Sequence, residues 1–321
     1  MATTHVVSDL PKVGIVGAGQ VGSAMAYATI IRGVVPRIAV YDIDEKRVNA
    51  QVADLAHGTI YAGAEVTGGA DPEVLRDSDI VVITSGAPQR PGQTRLDLAD
   101  VNAKIIGDII PKVLNVAPDA IIVIVTNPCD VLTVVGQKIS GLPASRIFST
   151  GTSLDTARLR HIIAQRANVR ENNVHAEMAG EHGDSEFALW SSATIGLVPI
   201  KDWVDDEGNH PFTDDVTTQI AEDVAQAAYH VIEGKGSTNY AIGLSGANLI
   251  ERLLSNSRTL MPVSSILDDY YGISGVALSV PTLLSNQGVI RAVPTPMSKA
   301  ERGALDTSAA TLKAIISSLG Y

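Results

Sequence analysis

Short apolar runs alternate with helical periodicity through the first half of the chain. Lys12–Gly17 reads as a strand, Gln20–Ile31 as a helix ending near Gly33, Arg37–Asp42 as a second strand and Glu45–His57 as an amphipathic helix. Asp79–Gly86 (Asp-Ile-Val-Val-Ile-Thr-Ser-Gly) and Ala120–Asn127 (Ala-Ile-Ile-Val-Ile-Val-Thr-Asn) are β-branched runs of the kind buried on both faces. Long helical patterns, including Leu96–Val116, separate them. This βαβα order predicts a parallel sheet covered by helices on both sides.

After about Thr150 the pattern changes. Ser153–Asn168 predicts a long helix, Ala193–Ile200 a strand, and Thr213–Glu233 and Asn239–Leu254 two further helices. Val276–Val280 and Val289–Val293 are expected to pair antiparallel, ahead of a terminal helix over Ser298–Leu319. The expected architecture is α/β: a doubly wound parallel sheet over residues 10–150, then an α+β domain with antiparallel strands over residues 151–321. No flexible linker marks the boundary, so the two parts should share a large interface.

Composition narrows the classes of function. A 321-residue chain that is 45% hydrophobic and 18% charged belongs with folded globular proteins. Its 24 basic and 35 acidic residues give a net charge of −11, which disfavours nucleic acid or an anionic membrane as partner. Cys129 stands alone, so no intrachain disulfide is possible, and Met1–Leu10 lacks the apolar core of a signal segment. Cytoplasmic residence is the expectation.

Gly17-Ala18-Gly19-Gln20-Val21-Gly22 follows the first strand and opens the first helix. In such a fingerprint the first Gly makes the tight turn, the second admits a pyrophosphate to the backbone and the third lets helix and strand pack closely. The helix N-terminus adds unpaired N–H groups and partial positive charge. Asp42 ends the second strand about 20 residues further on, where ribose hydroxyls are bound in Rossmann proteins. A carboxylate there repels a 2′-phosphate and favours NAD; Arg37 and Lys46 nearby leave tolerance of NADP open.

Downstream, Ala179-Gly180-Glu181-His182-Gly183-Asp184-Ser185 puts one histidine on a Gly-flanked turn. Imidazole both gives and takes a proton near neutral pH, which hydride transfer to a carbonyl requires. Asp155 and Arg158 are three residues apart on a predicted helix, hence on nearly one face. Ala87–Arg95 carries two prolines and a glycine and reads as a surface loop. Singly, each of these residues has an ordinary structural reading. Jointly, through Gly17–Gly22, Thr84–Leu98, Thr126-Asn127-Pro128, Gly151–Arg160, Gly180–Ser185 and Lys235–Ile242, the chain resembles the lactate/malate dehydrogenase family, its lactate branch most closely.

That resemblance implies a role for each position. His182 would be the acid–base residue, Asp155 would hold its imidazole, and Arg158 would grip the substrate carboxylate. The Ala87–Arg95 loop would close as a lid and bring in Arg95 to polarise the carbonyl. Asn127 would bond the substrate oxygen or the nicotinamide region, Gly86 would join the cofactor site, and Ile242 would pack behind the nicotinamide. Gln89 stands where malate-type relatives carry an arginine for a second carboxylate, and Thr238 would line the methyl side of a pyruvate pocket. Malate or another 2-hydroxy acid remains the alternative substrate, and a non-enzymatic dinucleotide sensor the alternative class. Arg160 and His175 match an arginine and a histidine that bind fructose 1,6-bisphosphate across a two-fold interface in tetrameric bacterial relatives. Glu177, where those relatives commonly have an aromatic, is a departure. No HExxH, cysteine pair, Walker-type loop or Tyr-x-x-x-Lys pattern is present, and no metal is expected.

Overall fold

The structure is a computed structural model and describes residues 7–88, 95–255 and 257–321. Gln89 lies outside the described residues; Arg95 opens a helix, but its side chain also lies outside them.

The first half builds β1 (Lys12–Val16), α1 (Gln20–Ile31), β2 (Arg37–Tyr41), α2 (Glu45–Gly58), β3 (Glu65–Gly69), β4 (Ile80–Ile83), α3 (Arg95–Val116), β5 (Ile121–Ile124), α4 (Cys129–Ser140) and β6 (Ile147–Ser149). These six strands are parallel, in the spatial order β6-β5-β4-β1-β2-β3. The order reverses between β1 and β4, so a crevice opens at their C-terminal ends, where ligands bind in open α/β sheets. Both side-chain parities of the strands are apolar because both faces are covered. Val13, Ile15, Ile80, Val82, Ile121 and Val123 pack into one core with Met25 and Leu249, while Val81, Ile83, Ile122 and Ile124 pack into the other with Ile106 and Leu132.

The second half continues with α5 (Ser153–Ala167), β7 (Val174–His175), β8 (Met178–Ala179), β9 (Phe187–Ala188), β10 (Thr194–Ile195) and β11 (Val198–Pro199). It ends with α6 (Asp214–Lys235), α7 (Tyr240–Leu254), β12 (Thr259–Met261), β13 (Ser264–Ile266), β14 (Ala277–Ser279), β15 (Thr282–Ser285), β16 (Gly288–Ala292) and α8 (Lys299–Ser318). The expected pairing of Val276–Val280 with Val289–Val293 is not formed. β14 pairs with β13, which extends the large sheet antiparallel beyond β6, and β16 pairs with β15 instead. The intervening Thr282–Ser285 is itself a strand, and it takes the ladder that β14 would otherwise have used. The single strand expected over Ala193–Ile200 is a hairpin, β10 and β11, turning at Gly196 with φ +58°.

Helix α7 lies directly on α1. A Cβ on Gly243 would stand 2.8 Å from the Ala24 carbonyl oxygen, and one on Gly246 would stand 2.2 Å from Cε of Met25. Two glycines in one helix therefore permit a contact that joins the second half of the chain to the cofactor turn. Among the described residues, no helix is long and apolar enough to cross a membrane.

Candidate active site

The glycine turn leaves β1 at Gly17, whose φ of +112° is reserved for glycine. A Cβ on Gly22 would fall 1.9 Å from the Gly17 carbonyl oxygen, so the third glycine is fixed by packing. Gly19 has nothing within 4 Å of its would-be Cβ and faces open space, and Gln20 and Val21 begin α1. Asp42 is nearly buried; Oδ2 accepts from Ala18 N (2.7 Å) and Oδ1 from Asp44 N (2.9 Å). Each oxygen keeps a second lone pair. Gly17, Gly19, Asp42, Ile43, Ser85 and Gly86 line one cavity of about 690 Å³. An approachable backbone at a helix N-terminus, with a carboxylate one strand away, fits an adenine dinucleotide.

Asn127 follows β5 and is exposed, with its peptide to Pro128 cis. Asn102, buried in α3, holds that corner: Nδ2 donates to the Asn127 carbonyl (2.7 Å) and Oδ1 accepts from Ala87 N (2.7 Å). Thr238 is half-buried between α6 and α7, and Ile242 is half-buried in the first turns of α7. The neighbouring Ser237 hydroxyl bonds Oε1 of Gln20, tying this connection to the phosphate turn.

The first two turns of α5 carry Asp155 and Arg158 into the interior. Asp155 is 2% exposed and divides its carboxylate: Oδ2 is 2.6 Å from Nδ1 of His182, and Oδ1 accepts from Nη1 of Arg158 at 2.5 Å. One carboxylate thus brings imidazole and guanidinium together. Burial works against the Asp155 charge, but His182 and Arg158 outweigh it and hold the carboxyl below its ordinary range. Burial alone would press the His182 imidazole down; Asp155, with Glu186 and Asp130, reverses this and raises it to about 9. Burial first, and then the Asp155 charge, push Glu186 up to about 8. Ligand-type atoms of Asp155, His182 and Glu186 lie within 4.8 Å of one another, the one such group among the described residues. Arg158 already places a cation against this group, so the set suits proton exchange better than a metal.

The loop bearing His182 is pinned from several elements. Gly180, at φ +94°, exchanges backbone hydrogen bonds with Ser279 of β14, both 2.9 Å. His182 N donates to Oδ2 of Asp130 in the first turn of α4 (2.8 Å). Glu181 N donates to Oγ of Ser308 on α8 (3.2 Å), and that hydroxyl donates to the Ser185 carbonyl (2.7 Å). Sequence reading missed Asn102, Asp130 and Ser308. Asp130 reads as an ordinary first-turn acid, and Asn102 and Ser308 as single polar residues in long helices.

Arg160 lies off this site. Its Nε donates to the Ala176 carbonyl (2.8 Å), and Nη2 meets Oε1 of Glu177 at 3.4 Å. Arg160, His175 and Glu177 share a cavity of about 430 Å³ with Leu260 and Pro281. Burial pushes the Glu177 carboxyl up, against the pull of Arg160.

Strand order and glycine turn define a dinucleotide-binding α/β protein. Residues 11–149 match the lactate/malate dehydrogenase NAD-binding domain, and residues 152–319 match the α/β C-terminal domain of the same family. An L-lactate dehydrogenase of Bifidobacterium animalis subsp. lactis is 51% identical over 311 residues, 97% of each chain. One from Thermus aquaticus is 42% identical over 97% of this chain and 100% of its own. A solved lactate dehydrogenase from a Medee basin deep-sea metagenome library superposes with a TM-score of 0.92 at 34% identity, covering 97% of this chain and 99% of its own. A minor L-lactate dehydrogenase from Enterococcus mundtii gives 0.91 at 36%, covering 96% and 98%. The chain belongs to the lactate/malate dehydrogenase family, and its cofactor is NAD.

Proposed function

We propose that this protein is a cytoplasmic NAD-dependent L-lactate dehydrogenase interconverting pyruvate and L-lactate, with His182 as its acid–base residue. The observation that carries this reading is Asp155, which holds the His182 imidazole on one oxygen and the Arg158 guanidinium on the other. NAD, bound at the glycine turn, supplies or accepts the hydride. With Nδ1 committed to Asp155, the Nε2 proton of His182 is the one that meets a substrate oxygen. It is given to the carbonyl oxygen in reduction and taken back from the hydroxyl in oxidation. Asp155 stabilises the imidazolium and fixes its orientation.

The Arg158 fork orients the substrate carboxylate through bidentate hydrogen bonds. Arg95, carried in by the Ala87–Arg95 segment, polarises the carbonyl where negative charge grows, and closure of that segment excludes water. Asn127 bonds the substrate oxygen, Thr238 lines the methyl side, and Ile242 backs the nicotinamide. Neutral Gln89 leaves the second carboxylate of oxaloacetate unpaired in a closed site, a cost of several kcal/mol, roughly, and so selects pyruvate.

The same reading includes a homotetramer activated by fructose 1,6-bisphosphate bound at Arg160 and His175. Support comes from their shared cavity and from exposed apolar side chains such as Leu260, Leu197, Ile60 and Tyr61, which suit subunit contacts.

NADH oxidation measured with pyruvate, oxaloacetate and a branched 2-oxo acid, each with and without the bisphosphate, tests these statements. Pyruvate should be turned over fastest; preference for oxaloacetate refutes the Gln89 argument. His182→Asn should lower turnover by about 10²–10⁴-fold while NADH still binds.

A further inference from the structure

We propose that Asp130 and Ser308 are positioning residues for His182, two buried side chains from α4 and α8 that hold consecutive amides of its loop and so fix where the imidazole meets substrate. The proposal rests on the reading of His182 as the acid–base residue. The amides of Glu181 and His182 are taken by Ser308 Oγ (3.2 Å) and Asp130 Oδ2 (2.8 Å). Neither partner is near them in sequence, and both are buried, Asp130 at 1% and Ser308 at 0% exposure.

Ser308 does more than accept one bond. Its hydroxyl donates to the Ser185 carbonyl (2.7 Å) and lies 2.8 Å from the Ser185 hydroxyl, which in turn donates to Oε2 of Glu181 (2.5 Å). Both ends of the Glu181–Ser185 turn are therefore gathered on one atom. A Cβ on Gly180 would stand 2.8 Å from that atom, so a larger residue there would have to displace the Ser308 hydroxyl. Helix α8 is itself anchored by a capping box between Ser298 and Glu301, and Glu301 also takes the Ser191 amide (2.9 Å) and hydroxyl (2.6 Å).

Asp130 is the costlier of the two. Burial pushes its carboxyl up to about 6, against the Ser264 hydroxyl and the charge and amide of His182, which favour the ionised form. A carboxylate in that state is expensive, and a first-turn position offsets only part of the cost. Holding the His182 amide gives that cost a purpose, and its charge acts on the imidazole as well. The groups facing His182 are Asp155 and Arg158 from α5, Asp130 from α4 and Glu186 just past its own loop. With either pin removed, the Nδ1 contact to Asp155 must hold the ring largely alone. A misplacement of about 1 Å can cost about 10²-fold in rate.

Ser308→Ala and Asp130→Ala are compared with Asp130→Asn, which keeps an acceptor for the amide, with the native chain and with His182→Asn. Thermal unfolding, NADH binding, and pyruvate kcat and KM across pH are measured for each. Both alanine variants should bind NADH normally, lose about tenfold in kcat with a smaller change in KM, and shift the alkaline midpoint of reduction to lower pH, whereas Asp130→Asn should keep most of the native kcat. Ser308→Cys, with a weaker donor of similar shape, should recover part of the loss and decides the matter if Ser308→Ala does not fold. Native kcat and a native midpoint in folded Ser308→Ala and Asp130→Ala, beside an inactive His182→Asn, overturn the positioning role alone. Native turnover in His182→Asn overturns the acid–base reading itself.

Discussion

Asp155 sets the protonation of the site, because it is nearly buried and yet shared by two cations. With His182 raised to about 9, the imidazolium is the resting form at neutral pH, which is the form that reduction of a carbonyl needs. Pyruvate reduction should therefore hold through neutrality and fall with a midpoint near pH 9, while lactate oxidation gains over the same range. Stability follows the same sign. A raised imidazole contributes fully below its ordinary value of 6.5 and loses that contribution as pH climbs through about 9. The lowered Asp155 carboxyl contributes above the ordinary carboxylate range and loses its share in acid. Asp155→Asn should move the alkaline midpoint down toward 6.5 and lower kcat by about 10²–10⁴-fold. A midpoint left in place by Asp155→Asn would mean that another group raises the imidazole. His182, Asp155 and Arg158 were legible through the motifs that carry the family resemblance, and the structure brings the three together. Asp130 and Ser308 were not, since a first-turn acid and a helical serine are common everywhere.

Among the elements, the α1–α7 contact links the two halves of the molecule to the cofactor turn. A Cβ on Gly243 would press on peptide backbone, 2.8 Å from the Ala24 carbonyl oxygen, whereas one on Gly246 would meet the flexible end of Met25. The two glycines should differ accordingly. Gly243→Ala should force the helices apart, destabilise the protein by about 1–3 kcal/mol and weaken NADH binding through the Gln20–Ser237 contact. Gly246→Ala should be milder, because a methionine side chain can yield. Denaturant unfolding and cofactor titration of the two variants give the comparison; equal losses would place the cause elsewhere. Long elements were read well from the sequence because periodicity accumulates over many residues. Two- and three-residue strands carry no period, so β9 and β13 left little trace and β10 and β11 read as one strand. The mispaired β14 and β16 show the same limit: apolar segments announce a strand but not its neighbour.

At the scale of the whole molecule, the parallel sheet was legible, but its extension by β13 and β14 was not, and that extension supports the His182 loop through Ser279 and Gly180. The cavity of Arg160 and His175 raises a further whole-molecule question, because this chain supplies its own anion there. Glu177 meets Arg160 at 3.4 Å, and its other oxygen is buried without a hydrogen-bond partner among the described residues. A bisphosphate entering this cavity must displace that carboxylate from Arg160 and bring more negative charge beside it. Because burial pushes the Glu177 carboxyl up, mild acid neutralises it sooner than an exposed glutamate. The activation proposed for this cavity should therefore need less fructose 1,6-bisphosphate as pH falls from neutrality toward the carboxylate range, and the dependence should weaken in Glu177→Gln. The same substitution, by removing one competing charge, should lower the half-activating concentration about tenfold at neutral pH. Rates measured against bisphosphate at several pH values in the two proteins provide the check. An unchanged half-activating concentration in Glu177→Gln would mean that the ligand binds without dislodging Glu177, and that the carboxylate serves only to hold Arg160 in place.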